Sequence, residues 1–136
     1  TPNIPEAEIL AGMKIENAED IKAAAAAICK LGCRYVLIKG GHFDGAEKVD
    51  YLFEDGKQKT SYRGISVNTR NTHGTGCTLS SAITSYLARE MDMNTAIAMA
   101  KTYLSGAILA GKDIKIGEGH GPVNHFYEPK SLFTKS

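Results

Sequence analysis

The chain has 136 residues, the size of one ordinary domain with a real core. Sixteen Lys and Arg against fifteen Asp and Glu leave a formal net charge of +1, so charge gives no argument for nucleic acid or an anionic membrane as a partner. The longest apolar run, Ala23 to Cys29, is far too short to span a bilayer, and the odd count of three cysteines speaks against a disulfide framework and for a reducing, cytoplasmic setting.

In chain order, Asn3 suits a helix N-cap, Pro5 its first turn and Gly12 its end, which predicts a short helix over 7–10. Asn17 caps a second helix, with Ile21, Ala24, Ala25, Ile28 and Leu31 as its buried stripe and Gly32 as its stop. Cys29 and Cys33 lie four apart, but no second Cys/His pair at zinc spacing accompanies them, so they read as helix-end packing. Arg34 to Lys39 is short and almost wholly apolar, as expected of a strand buried on both faces in a parallel sheet. Lys39-Gly40-Gly41-His42 then marks the strand end as a turn, at the edge where open α/β sheets bind ligands. Lys48 to Phe53 and Lys57 to Tyr62 flank Asp55-Gly56, a hairpin signal, and Gly64 to Arg70 is a connector.

The connector runs into Asn71-Thr72-His73-Gly74-Thr75-Gly76-Cys77, the stretch with the most chemistry in it. From Thr78 onward Leu79, Ala82, Ile83, Tyr86 and Leu87 recur at helical spacing, so a glycine turn opens a helix. The first turn of a helix has unpaired N–H groups and the positive end of the dipole, and glycines let an anion approach that backbone. The P-loop pattern is absent, because Gly74 to Gly76 is too short and no Lys-Ser/Thr pair follows. Cys77, expected at the first helical position, is placed where a helix N-terminus favours a thiolate; the alternative is a small residue filling space beneath the helix.

A further helix is expected from Asn94, with Ile97, Ala100, Leu104, Ala107 and Ile108 on one face and Gly111 at its end; Met91 and Met93 read as core. The tail from Ile116 to Phe126 is glycine-rich and holds His120 and His125, for which a packed loop is the simpler reading than a metal site.

His73-Gly74-Thr75-Gly76-Cys77 opening a helix resembles the anion-hole motif of the ribokinase-like kinases, which move the γ-phosphate of ATP to a primary hydroxyl. Most of that superfamily has Asp where this chain has Cys77; a Cys is typical of its thiamin-pathway branches. The run Gly117-x-Gly119-His120-Gly121-Pro122-x-Asn124-His125-Phe126 resembles the hydroxymethylpyrimidine phosphate kinases in particular. The resemblance implies an α/β fold with a mostly parallel central sheet flanked by helices and carrying a hairpin. It implies ATP and Mg²⁺ as cofactors and hydroxymethylpyrimidine or its phosphate as small-molecule substrate. Gly74, Thr75, Gly76 and Cys77 would then form the catalytic anion hole, with Cys77 as base or as positioner of the hydroxyl. Lys39, Thr72 and His73 would border the nucleotide, and Asn3 with Glu6 would organise Mg²⁺, matching an Asn-x-x-Glu element of the superfamily.

The likeness covers residues 1–136 but only the C-terminal half of such a kinase, so a partial domain carrying the phosphate-transfer machinery is expected, with most of the pyrimidine pocket elsewhere. Association with the missing N-terminal half, or with further copies of the chain, is expected with it. Pyridoxine or pyridoxal kinase is the nearest alternative. From local chemistry two others stay open: a thiol hydrolase pairing Cys77 with His73, and a non-catalytic binding module.

Overall fold

In the computed structural model, which describes residues 1–41, 48–64 and 68–129, the chain divides into two compact units, residues 1–66 and 67–136. His42 and residues 65–67 of the expected connector lie outside the described residues.

The N-terminal unit begins with α1 (Ile4–Ala11), longer at both ends than the helix read from the sequence. Asn3 and Glu6 close a capping box around its start, and Gly12 ends it in the left-handed conformation at φ 66°. Helix α2 (Ala18–Cys29) starts at Asn17, whose side chain accepts from the N–H groups of Glu19 and Asp20. Ile21, Ala24, Ala25 and Ile28 are buried as the spacing requires. Leu31 is not: it is 68% exposed, because the helix has already ended at Lys30 and the helical period no longer points it inward.

Three strands follow, β1 (Tyr35–Gly41), β2 (Val49–Glu54) and β3 (Lys57–Arg63), paired antiparallel in the order β1-β2-β3. Val36, Leu37 and Ile38 are all buried, so β1 is covered on both faces as expected. Its pairing is different, because the connection over 42–48 is too short for the crossover that a parallel neighbour needs. A parallel contact occurs on its other edge, as a bridge between Lys39 and Asn3. Gly40 and Gly41 continue the strand instead of turning it: Gly40, at φ 73°, sits in a bulge where the register shifts, and its N–H donates to the buried Asp50 at 2.8 Å. Ala7, Ile21, Ala24, Ala25, Val36, Ile38 and Phe53 share one core beneath the helices.

The hairpin turn has positive φ at both central residues, Asp55 (50°) and Gly56 (76°), the twist that matches right-handed strands. Beside it Glu54 accepts from Lys59 (2.9 Å), Tyr35 Oη (2.8 Å) and Arg34 (2.6 Å). These three donors, Lys59 foremost, hold its carboxyl down at about 2.

In the C-terminal unit, α3 (Thr75–Ala88) packs against α4 (Met93–Gly111). Asp92 caps α4 by accepting from the N–H groups of Asn94 and Thr95, so the helix begins one residue before the expected start. Ala96, Ile97, Ala100, Leu104, Ala107 and Ile108 are buried along it, while Met91 and Met93 are only half-buried. The glycines of α4 admit close approaches of the tail. A Cβ on Gly106 would strike the Tyr127 ring, and one on Gly111 would lie 2.9 Å from the Asn124 nitrogen, so the tail packs directly on the α4 backbone.

Because the Glu54 carboxyl is held below its ordinary value of 4.5, its stabilising effect is full above that value and is lost as pH falls through about 2. Urea unfolding of Glu54→Gln should therefore show a stability deficit at neutral pH that shrinks steadily as the pH drops across this window.

Candidate active site

The glycine turn takes its shape from Gly74, which sits at the N-cap of α3 with φ 83° and ψ 1°, a conformation that strains any residue with a Cβ. Helical hydrogen bonding starts at once, with Thr78 N donating to Gly74 O at 2.8 Å. Cys77 is consequently the third helical residue and not the first. Gly74 has no side chain to cap the turn, and among the described residues no acceptor meets the N–H of Gly76 or Cys77. A Cβ built on Gly74 or Gly76 would meet nothing within 4 Å. Donors with open space above them are what an oxyanion requires.

Cys77 is exposed, so it does not fill space beneath the helix. Thr72 and His73 are exposed beside the turn: Thr72 O accepts from Thr75 N at 3.3 Å, and His73 N donates to Gly121 O at 3.2 Å. No hydrogen bond joins His73 to Cys77 among the described residues, so the thiol–imidazole pair of a hydrolase is not formed.

Two supports of the turn were not assigned a role by the sequence reading. Asn71, 7% exposed, donates from Nδ2 to Gly111 O (2.6 Å) and Ile114 O (2.7 Å), tying the entry to the turn to the end of α4. Gly121 lies so close to the Asn71 amide that a Cβ there would collide with it. The second support is Thr78, whose Oγ1 meets Gly74 O (2.8 Å) and His125 Nε2 (2.7 Å). The signal for both was the glycine-rich tail, which read as a loop although its glycines mark close backbone approaches. Cys77, Thr78, Ser81, Ser85, Tyr86 and His125 border a cleft of about 480 Å³ along α3.

The remaining expected residues lie in the N-terminal unit, where the fold gathers Asn3, Glu6 and Lys39 from separate stretches. Asn3 Oδ1 accepts from Glu6 N (2.9 Å), Glu6 Oε2 accepts from Asn3 N (2.8 Å), and Lys39 pairs with Asn3 through the backbone. Lys39 Nζ donates to Thr1 O. Among the described residues no three His, Cys, Asp or Glu side chains are grouped to cage a metal. The carboxylate of Glu6 and the amide of Asn3 carry oxygens of the kind a hard cation takes, and one oxygen of each is engaged by the N–H groups at the start of α1.

The fold is that of the ribokinase-like kinases. The chain matches an ADP complex of Bacillus subtilis pyridoxal kinase with a TM-score of 0.76 at 34% identity, covering 91% of this chain and 48% of that one. It matches a phosphomethylpyrimidine kinase structure from Clostridium difficile with a TM-score of 0.62 at 43% identity, covering 79% of this chain and 41% of that one. The family described as phosphomethylpyrimidine kinase matches residues 1–124, and the chain belongs to that family. A hydroxymethylpyrimidine/phosphomethylpyrimidine kinase of Rhizobium meliloti is 44% identical over 128 residues, 93% of this chain and 48% of the relative. The chain spans from a quarter to about half the length of the curated relatives it matches. No helix among the described residues is long and apolar enough to cross a membrane.

The two glycines of the turn should respond oppositely to alanine. Gly74→Ala meets no clash and loses about 1–2 kcal/mol to backbone strain alone, whereas Gly76→Ala, inside the helix, gains up to about 1 kcal/mol; thermal unfolding measures both. Asn71→Ala should cost about 2 kcal/mol in the same assay, since it removes two hydrogen bonds, to carbonyls at and just beyond the end of α4.

Proposed function

We propose that this chain is the phosphate-transfer half of an ATP-dependent, cytoplasmic kinase that phosphorylates hydroxymethylpyrimidine and its monophosphate in thiamin biosynthesis, residues 1–136 forming part of one kinase domain. The observation that carries the reading is the left-handed glycine turn at the start of α3, with the unpaired N–H groups of Gly76 and Cys77, in a chain of the phosphomethylpyrimidine kinase family.

In this reading Gly74, Thr75, Gly76 and the N–H of Cys77 receive the oxygens of the γ-phosphoryl group as charge builds on them, the main source of rate in phosphoryl transfer. The acceptor's hydroxyl oxygen bonds to phosphorus, the bond from phosphorus to the β,γ-bridging oxygen breaks, and ADP leaves. Cys77 Sγ, exposed at the same turn, takes or orients the hydroxyl proton. Lys39 supplies positive charge to the nucleotide phosphates; Thr72 and His73, at the glycine turn, are assigned to nucleotide binding by the same resemblance. Mg²⁺, when bound, neutralises phosphate charge; Asn3 and Glu6 would hold its water shell. The rest of the acceptor pocket comes from polypeptide beyond these residues or from an associated copy.

A second reading, pyridoxal kinase, is favoured by the backbone match to the Bacillus subtilis enzyme. Competition between hydroxymethylpyrimidine phosphate and pyridoxal for the same ATP separates the two: preferential phosphorylation of pyridoxal would replace the first reading with the second. In the complete enzyme carrying this chain, Cys77→Ala should lower turnover at least about tenfold in a coupled ADP-release assay. Unchanged turnover would remove Cys77 from the mechanism.

A further inference from the structure

Three atoms line up behind the glycine turn: Gly74 O, Thr78 Oγ1 at 2.8 Å, and His125 Nε2 at 2.7 Å from that hydroxyl. The direction of the protons follows from chemistry. A carbonyl oxygen only accepts, so a 2.8 Å contact between it and a hydroxyl oxygen requires the Thr78 proton to lie between them. That hydroxyl has one proton, so it can only accept from its other neighbour. His125 must therefore have its proton on Nε2 and donate it.

His125 is held from both sides for this task. Its own carbonyl accepts from Tyr103 Oη at 2.8 Å, and the preceding residue, Asn124, donates its N–H to Ala107 O at 2.9 Å. Tyr103 and Ala107 are one turn apart on α4. The Asn124 side chain, in turn, accepts from the N–H of Phe126 at 3.1 Å. Thr78 is 8% exposed, so little water competes for its hydroxyl.

The carbonyl at the end of this line belongs to the peptide that joins Gly74 to Thr75. A trans peptide is planar, with its C=O and N–H pointing in opposite directions. Fixing Gly74 O therefore fixes the plane from which the first turn of α3 departs, and with it the aim of the Gly76 and Cys77 N–H groups. Backbone bonds already engage this peptide, Thr78 N donating to Gly74 O at 2.8 Å and Thr75 N to Thr72 O at 3.3 Å, and the Thr78 hydroxyl adds a side-chain tie at the glycine, whose φ of 83° no side chain restrains.

We propose that His125 is a positioning residue of the glycine turn, acting through Thr78 to hold the Gly74 peptide so that the Gly76 and Cys77 N–H groups converge on a phosphoryl group. This rests on the phosphate reading of the turn. His125 acts through another side chain and touches no reacting atom.

The test uses the complete enzyme carrying this chain, inorganic pyrophosphate as probe, and the amide NMR signals of Gly76 and Cys77. His125→Phe keeps the ring volume without the donor, His125→Gln places an N–H near the position of Nε2, and Thr78→Val removes the hydroxyl. His125→Phe and Thr78→Val should each weaken pyrophosphate binding about fivefold, the worth of one hydrogen bond, and the double variant should be no weaker than either. His125→Gln should return to within about twofold of the parent. Parent-like binding by His125→Phe, no recovery in His125→Gln, or additive losses in the double variant would each overturn the proposal. If the parent itself does not bind pyrophosphate at these amides, the phosphate reading falls. The ligand-free spectra then decide the positioning role: His125→Phe and Thr78→Val must displace the Gly76 and Cys77 signals alike and His125→Gln restore them, and any other pattern contradicts it.

Discussion

The backbone of Gly74 is the constraint on which the C-terminal unit depends. A left-handed residue at the N-cap of α3 turns the chain sharply and lets the helix start with no side chain over its first N–H groups. A serine or aspartate at this position could have satisfied one of those donors, as Asn3, Asn17 and Asp92 do for the other helices. Among the described residues three helices are capped by side chains and one is left open. That contrast gives the open one its chemical meaning.

An uncapped turn must be supported from elsewhere, and α4 with the tail provides this. Asn71 fastens the segment before the turn to the end of α4, while Thr78 and His125 fasten the turn from behind. The close passage of the tail depends on glycines at 106, 111 and 121, where a Cβ would meet the Tyr127 ring, the Asn124 nitrogen or the Asn71 amide. In the N-terminal unit the same economy applies on a smaller scale. The capping box that starts α1 also fixes the side chains of Asn3 and Glu6, and backbone pairing brings Lys39 beside them.

Much of this was legible in the sequence because local chemistry and tertiary structure agree. Asn3, Asn17 and Gly12 cap helices where their residue types predict, Asp55-Gly56 makes the hairpin turn, and the apolar periods of α2 and α4 mark their buried faces. The misreadings arose where a neighbour decides the outcome. Leu31 continues the apolar period past the end of α2, and a period alone does not say where a helix stops. Gly40 read as a turn, but Asp50, ten residues on, receives its N–H and keeps it in a bulged strand. The glycine turn itself was visible as a motif. The roles of Asn71, Thr78 and His125 were not, because each depends on a partner 40 to 47 residues away along the chain.

The central claim is that the opening of α3 receives a phosphoryl group. The most direct measurement is a crystal structure with a non-hydrolysable ATP analogue bound. The account predicts terminal phosphate oxygens within about 2.7–3.1 Å of the Gly76 and Cys77 nitrogens, with Gly74 unchanged in its left-handed conformation. An analogue seated with its terminal phosphate away from this turn, and those two N–H groups facing only water, would contradict it.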